Sequence, residues 1–262
     1  MWQEDLPPFQ LYGKLWHVGG KSSPSYLFDT GDGLLLLDTG LPKSGYILFR
    51  NIYDLGFKPR DIRWILHSHG HYDHIGMTRA LVEMTGAKTY IGAPDRDFVN
   101  GTRDLPRAKF IDYSFDEPFE PDVLIHGGDV LNFGSLEIRC EPAPGHTPGT
   151  MAFFFDVKEG EKTYHVGYYG GVGFLSVYRE FLAEYNLPLS LREDFFRSLD
   201  KVYNEKVDVV LGNHPSQNGT LEKRAKMIEN PNGENPFISP TEWREFLDTV
   251  KERLRVFVDM GY

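Results

Sequence analysis

Cysteine is almost absent from this chain of 262 residues, in which Cys140 is the single one. One thiol cannot close an intramolecular disulfide, and it cannot build a cysteine-rich metal cluster. The sequence therefore excludes a disulfide-stapled scaffold and a cysteine-type zinc finger. We expect Cys140 to be an inert thiol in the core rather than a metal ligand.

Basic residues and long apolar runs are also scarce. The 28 Lys and Arg stand against 38 Asp and Glu, so the net charge of −10 repels phosphate backbones, and nucleic acid is not an expected partner. No stretch reaches the roughly 18 apolar residues of a membrane-spanning helix, so no membrane partner is expected. The start, MWQEDLPPFQ, has acids and prolines where a secretory signal has basic and apolar residues. This predicts a cytoplasmic protein, with a removed export signal as the open alternative.

The remaining composition is that of a globular protein. Hydrophobic residues make up 40% of the chain, aromatic residues 14% and charged residues 25%, which is enough apolar material for a sizeable core. No repeat, low-complexity run or flexible linker divides the sequence. We therefore predict a single domain over residues 1–262.

Short apolar runs alternate with segments of helical periodicity. The predicted strands cover residues 16–18, 25–28, 34–37, 63–66, 88–91, 130–133, 136–140, 151–157, 163–166 and 207–211. Helices are predicted over 44–55 and 75–85, from a capping box at 190–193, and from a second capping sequence at 239–242. Residues 101–128 show no period and predict a long surface loop. Strands, helices, strands and helices in this order indicate an α/β fold with two sheets between helical layers.

The densest cluster of chemically active side chains follows the predicted strand 63–66. It is the run His69-Gly70-His71-Tyr72-Asp73-His74. Residues two apart in an extended segment point to the same side, so His69 and His71 can bind one metal ion. A helix that starts near residue 75 would direct Asp73 and His74 toward a second ion. Six residues thus offer four ligands to two metals.

Two later histidines are placed to complete these sites. His146 lies in the loop Pro144-Gly145-His146-Thr147-Pro148-Gly149, where proline and glycine restrict the backbone. His214 follows the predicted strand 207–211. Ligands brought together from distant segments are typical of a preorganised enzyme site and exclude a local zinc finger.

Four motifs together resemble those of the metallo-β-lactamase superfamily: the HxHxDH run, Leu37-Asp38-Thr39-Gly40, the Pro-Gly-His loop and Gly212-Asn213-His214-Pro215. The chain is similar over nearly its full length to class B, subclass 3 β-lactamases and their uncharacterised relatives. Further matching stretches are residues 15–19, 40–42, 143–150 and 235–238. The resemblance implies a four-layer αββα sandwich, in which two mixed sheets are flanked by helices. It also implies that the first metal is held by His69, His71 and His146, and the second by Asp73, His74 and His214.

One departure concerns the bridging aspartate that most hydrolases of this superfamily carry between the last two histidines. Here the predicted strand 163–166 runs into Gly167-Tyr168-Tyr169-Gly170-Gly171. The four Asp residues of this interval are not expected to bridge; they are Asp156, Asp194, Asp200 and Asp208. Tyr168 and Tyr169 are candidate catalytic residues that donate to an oxyanion or stack on the substrate, and simple aromatic packing explains them equally well.

These motifs predict a metal-dependent hydrolase. Hydroxide bound by a dinuclear metal site would attack a cyclic amide or ester, and Asp73 would orient it and pass a proton to the leaving group. Two Zn²⁺ ions are the first expectation, with iron, manganese or nickel open. A hydrolase of lactones, thioesters or phosphodiesters and a non-catalytic metal-binding protein are the alternatives. The expected partner is a small-molecule substrate, and the oligomeric state is left open.

Three further residues have predicted roles. Asp38 is expected to support a ligand histidine rather than to react, because a buried Asp at a strand end usually orients its neighbours. His67 is expected to belong to the preceding strand. Lys223 is expected on the solvated face of a helix, with a substrate carboxylate as its alternative partner.

Overall fold

Two mixed β-sheets form the centre of the structure, a computed structural model that describes residues 5–105 and 117–262. The first sheet has seven strands in sequence order: β1 (Phe9–Tyr12), β2 (Leu15–His17), β3 (Tyr26–Asp29), β4 (Leu34–Leu37), β5 (Ile62–Leu66), β6 (Lys88–Gly92) and β7 (Val123–Ile125). Strands β1 to β4 pair antiparallel, whereas β4 to β7 pair parallel.

The second sheet has five strands. They are β8 (Val130–Phe133), β9 (Leu136–Pro142), β10 (Met151–Glu159), β11 (Lys162–Tyr169) and β12 (Val209–Leu211). Their order is β12-β11-β10-β9-β8, in which only β11 and β12 are parallel. Strand β9 alternates buried and more exposed residues, so one of its faces lies in the core.

The described residues also form helices of 4 to 18 residues. They are α1 (Gly45–Asp54), α2 (Tyr72–Ile75), α3 (Thr78–Thr85), α4 (Arg96–Val99), α5 (Arg179–Glu184), α6 (Leu191–Val202), α7 (Pro215–Asn218), α8 (Thr220–Glu229) and α9 (Glu242–Asp259). Among the helices of the described ranges, none is both long enough and apolar enough to span a bilayer.

Three apolar clusters show that the structure has four layers. One contains side chains of both sheets, such as Leu35 and Phe153, and fills the space between them. A second joins the first sheet to α1 and α3, and a third joins the second sheet to α6 and α9 through residues such as Trp243. The predicted αββα sandwich is therefore confirmed. Leu34–Leu37 is buried along its whole length because both faces of its sheet are covered.

Some local predictions are wrong. Residues 101–128 are not one loop, because they contain β7; residues 106–116 of that loop lie outside the described part. The helix predicted from Ser190 does begin there, as α6, but the Ser190 side chain makes no capping hydrogen bond. The second capping sequence is wrong in position as well, because α9 begins after Thr241 and not after Ser239. The predicted helix 75–85 is divided into α2 and α3 at Gly76, whose α-carbon lies too close to Pro42 to carry a side chain.

The parallel strands determine where functional side chains gather. The carboxyl ends of β4, β5 and β6 meet at one edge of the first sheet, and those of β11 and β12 meet at an edge of the second. Asp38, the HxHxDH run and His214 directly follow such ends. Ligands in open α/β sheets bind at this position, so the fold brings the predicted site residues together there.

Candidate functional site

The HxHxDH run forms a tight turn between β5 and α2. His71 is extended and immediately precedes α2, so Asp73 and His74 lie in the first turn of that helix. The backbone N–H of His74 donates to the His71 carbonyl at 3.0 Å, which fixes the turn. His71 thus leaves an extended segment, as predicted, and Asp73 and His74 leave a helical one.

His69, His71 and His146 form the first group of candidate metal ligands. One ligand atom from each lies within 4.8 Å of the others, and all three residues are buried. His69 Nε2 and His71 Nδ1 are 3.0 Å apart, and the His146 ring lies 4.7 Å from the His69 ring and 4.5 Å from the His71 ring. Burial and the surrounding histidines hold the pKa of His69 well below its usual value. Its imidazole is therefore neutral, which is the form that binds a metal.

Asp73, His74 and His214 form the second group, in which the ligand atoms also lie within 4.8 Å of one another. The Oδ2 atom of Asp73 is 3.7 Å from His74 Nε2 and 3.6 Å from His214 Nε2. The rings of His69 and His74 are 4.3 Å apart, so the two groups are neighbours. The structure thus brings together all six residues that the sequence proposed as ligands.

Asp38 accepts hydrogen bonds that orient one histidine of each group, His74 directly and His69 through Ser68. Asp38 Oδ2 lies 2.9 Å from His74 Nδ1 and accepts a 2.7 Å hydrogen bond from Ser68 Oγ. Because the Ser68 hydroxyl proton points to Asp38, its oxygen is left to accept from His69 Nδ1, 3.0 Å away. Both rings therefore present Nε2 to the site, and the predicted supporting role of Asp38 is confirmed.

His146 and His214, the two ligand candidates from later loops, are oriented by backbone carbonyls. His146 Nδ1 lies 2.7 Å from the Gly173 carbonyl, and His214 Nδ1 lies 2.7 Å from the Ser22 carbonyl. The glycines after β11 permit this approach, since a Cβ on Gly171 would lie 2.3 Å from His146 Cδ2. The Nε2 atom of each ring is again directed inward.

The donor set fits a pair of divalent cations. Three imidazoles suit a zinc-like ion, and two imidazoles with one carboxylate suit a second ion of the same kind. Asp73 is the one carboxylate in either group among residues 5–105 and 117–262. The four aspartates between His146 and His214 lie elsewhere: Asp156 and Asp208 both bind His165, Asp194 pairs with Arg197, and Asp200 pairs with Lys251.

The two candidate tyrosines point in opposite directions from β11. Tyr168 lies between the sheets and donates a 2.7 Å hydrogen bond to Asp38 Oδ2. Burial and the Asp38 charge raise the pKa of Tyr168 well above its usual value, so the phenol remains a donor. Tyr169 lies in the apolar cluster beneath the outer helices, with its ring 6.5 Å from that of Phe246. Tyr168 therefore acts on the site through Asp38, whereas Tyr169 packs on the side of the sheet away from it.

The residues outside the two groups have other partners. The ring of His67 is buried directly after β5, with Nε2 3.2 Å from Thr78 Oγ1. Cys140 is buried in β9, where burial raises its pKa to about 12, so its predicted role as an inert core thiol is confirmed. The solvated position predicted for Lys223 is wrong. Its side chain is 13% exposed and pairs with Glu242 of α9, with Nζ 2.6 Å from Oε2.

Substituting Lys223 tests whether it binds substrate. We expect Lys223→Met to leave KM unchanged within about twofold, because the ammonium is already neutralised by Glu242. It should destabilise the protein by about 1–3 kcal/mol, since the Glu242 carboxylate loses its partner in a mostly buried position. Urea unfolding and steady-state kinetics on the same preparation measure both effects. A large rise in KM with unchanged stability would contradict this assignment.

Sequence reasoning missed the residues that hold the ligands in place. The contacts are made by the hydroxyl of Ser68 and by the backbone carbonyls of Gly173 and Ser22. Such contacts cannot be predicted from the residue type. Asp95 was also missed, although an acid shortly after a parallel strand at the same sheet edge was a signal available in the sequence.

Comparisons with known proteins agree with this site. The sequence model of the metallo-beta-lactamase superfamily matches residues 18–159. A hydroxyacylglutathione hydrolase of Anaeromyxobacter dehalogenans is 33% identical over 132 residues, which are 50% of this chain and 42% of that one. A probable metallo-hydrolase of Bacillus subtilis, YflN, is 28% identical over 47% of this chain and 51% of its own. The chain therefore spans about half or less of the length of these curated relatives.

Solved structures match nearly the whole chain. BJP-1, a subclass B3 metallo-beta-lactamase of Bradyrhizobium japonicum, is 28% identical with a TM-score of 0.87, over 99% of this chain and 96% of that one. FEZ-1 of Legionella gormanii is 24% identical with a TM-score of 0.89, over 98% and 97%, and shows the likeness of fold alone. The resemblance to subclass 3 enzymes is thereby confirmed. With the family match over more than half of its residues, the chain belongs to the metallo-beta-lactamase superfamily.

Proposed function

We propose that the protein is a hydrolase of a cyclic amide or ester that depends on two bound metal ions, with Zn²⁺ as the first choice. The observation that carries the proposal is the pair of adjacent three-ligand groups at the ends of the parallel strands. When bound, such ions lower the pKa of water to about 7 and polarise the carbonyl under attack. A non-catalytic metal-binding protein would need the same ligands, so turnover is the property that separates the two.

The chain's own residues supply orientation and proton transfer. Asp73 is the candidate general base and acid, because its Oδ2 atom faces two ligand histidines and its side chain is 11% exposed. Ser23 Oγ donates to the same oxygen at 3.5 Å, which limits the rotation of the carboxylate. Asp73 can therefore hold a nucleophilic water and later deliver its proton to the leaving group.

The substrate class rests on the comparisons. The whole-chain likeness to a subclass B3 metallo-beta-lactamase favours a cyclic amide. The partial match to a hydroxyacylglutathione hydrolase favours a thioester as the second candidate. Lactones and phosphodiesters complete the set to be tested.

Metal analysis combined with a substrate panel tests the proposal. We expect the protein purified without added metal to hold about two equivalents, and His146→Ala to hold fewer, because that variant lacks one ligand of the first group. Elemental analysis measures the metal, and nitrocefin, a lactone, a thioester and a phosphodiester measure turnover. Metal with turnover of none of these would favour the binding protein, and the absence of metal would overturn the proposal.

Two sequence predictions remain part of this proposal. We propose that residues 1–262 form one domain that acts in the cytoplasm on a small molecule. One protease-resistant core of nearly full length and recovery in the cytoplasmic fraction are the expected results.

A further inference from the structure

A buried carboxylate, Asp95, lies between the two loops that carry the first ligand group. It follows β6 and is 0% exposed. Its Oδ2 atom accepts hydrogen bonds from Gly70 N at 2.8 Å and from Thr147 Oγ1 at 2.6 Å. Its Oδ1 atom accepts from Gly149 N at 2.7 Å. One side chain thus binds both loops through three hydrogen bonds.

The positions of these donors relate Asp95 to all three histidines of the group. Gly70 stands between His69 and His71, and Thr147 directly follows His146. Two separate segments therefore reach one metal site, and Asp95 is bonded to both. The side chain of Asp95 is 0% exposed, so the carboxylate is enclosed in protein.

Close packing shows that this junction leaves little room for the loops to move. A Cβ on Gly149 would lie 2.5 Å from Asp95 Cγ, and one on Gly92 would lie 2.1 Å from the Gly149 carbonyl oxygen. A Cβ on Gly70 would lie 3.2 Å from Asp95 Cβ. Only glycine fits at positions 149 and 92, because any Cβ there would overlap a neighbouring atom. The backbone of the His146 loop therefore lies close to β6 and to Asp95.

We propose that Asp95 is a positioning residue that holds the His69–His71 segment and the His146 loop at the separation which the first metal ion requires. The inference rests on the proposed metal site and concerns its affinity, not the substrate. It assigns Asp95 no contact with substrate or metal. Without Asp95, the two loops would have to be ordered by the ion itself, which would weaken binding at the first group and leave the second group unaffected.

Measuring zinc affinity in two backgrounds tests the proposal. In His214→Ala the first group is the intact one, and there Asp95→Asn should weaken zinc binding about 10- to 100-fold, the usual effect of losing a residue that supports metal ligands. In His146→Ala the second group is intact, and Asp95→Asn should leave its affinity unchanged. Competition with a chromophoric chelator measures both values without any substrate.

Asp122, an exposed carboxylate at the other end of β6, offers a control matched in its donor types. Its Oδ2 atom accepts from Thr89 N at 2.8 Å and from Thr89 Oγ1 at 2.9 Å, the same donor types that Asp95 binds. Asp122→Asn should lower stability without changing zinc affinity in either background. An equal loss of affinity in this control would show a general effect of destabilisation and would overturn the inference.

Thr147 provides a milder test that does not alter the carboxylate. Thr147→Val removes the hydroxyl that Asp95 binds and should weaken the first site, whereas Thr147→Ser keeps the hydroxyl and should retain most of the affinity. Equal zinc affinities in these two variants would overturn the inference but not the proposed function. The same holds if Asp95→Asn binds zinc at the first group as tightly as its parent does. An unmodified chain that takes up no zinc would overturn the proposed function, and the inference with it.

Discussion

Replacing Asp38 with alanine is expected to destabilise the metal-free protein by about 3 kcal/mol or more, because several buried hydrogen-bond donors lose their acceptor. Asp38 is completely buried, and its two carboxylate oxygens make four hydrogen bonds. Oδ2 is bonded to Ser68 Oγ, His74 Nδ1 and Tyr168 Oη, and Oδ1 accepts from Ser68 N at 2.8 Å. Alanine would leave these donors inside the protein without an acceptor, and each such donor costs about 1–3 kcal/mol.

Backbone conformation adds to this effect. Asp38 has φ of 57°, in the left-handed region that Asp and Asn tolerate better than alanine does. Urea unfolding after treatment with chelator measures the change without a contribution from bound metal. Tyr168→Phe is the matched control, because it removes one of the four donors together with its need for an acceptor; we expect a cost of about 1 kcal/mol. Equal stabilities of Asp38→Ala and Tyr168→Phe would show that the buried network does not stabilise the fold.

The candidate metal ligands were predictable from the sequence because their chemistry is local and unusual. Four of them stand within six residues, and imidazole and carboxylate side chains at this spacing have few other uses. Buried strands such as Leu34–Leu37 were predictable for a similar reason, since continuous apolar runs are excluded from most other positions.

The network that orients the ligands could not be predicted in the same way. Asp95 is brought to Thr147 by the order of strands in two different sheets, and a separation of 52 residues carries no local pattern. The capping hydrogen bond predicted for Ser190 is absent, although α6 begins directly after this residue. Strand β7 was missed because residues 101–128, in which it lies, show no period of apolar residues.

Tyr168 and Tyr169 illustrate most directly what the sequence alone could not predict. Adjacent residues of a strand point to opposite faces, so at most one of them can face the space between the sheets. The sequence does not say which one, because both faces of β11 are covered with apolar side chains. The structure places Tyr168 on Asp38 and Tyr169 under the outer helices, and this gives the two identical side chains different roles.

Substituting Asp73 is expected to have the largest effect on turnover. Asp73→Ala should lower kcat/KM by about 10²- to 10⁴-fold, the usual contribution of a positioned general acid or base, and it should also remove one ligand of the second group. Asp73→Asn, which keeps an oxygen that can bind metal but cannot carry a proton at neutral pH, should retain more metal than Asp73→Ala while losing similar activity. Parallel metal analysis and kinetics therefore separate the two roles of this carboxylate.

The chain offers a matched control for this substitution in Asp156, another carboxylate beside a histidine. Asp156 pairs with His165 on the exposed part of the second sheet, where its side chain is 53% exposed. Asp156→Ala should leave both metal content and kcat/KM unchanged, because neither partner belongs to a ligand group. Activity in Asp73→Ala equal to that of Asp156→Ala would remove Asp73 from the reaction. A metal content above that of Asp73→Ala together with a similar loss of activity is the expected result for Asp73→Asn, and it would assign the proton transfer to this side chain.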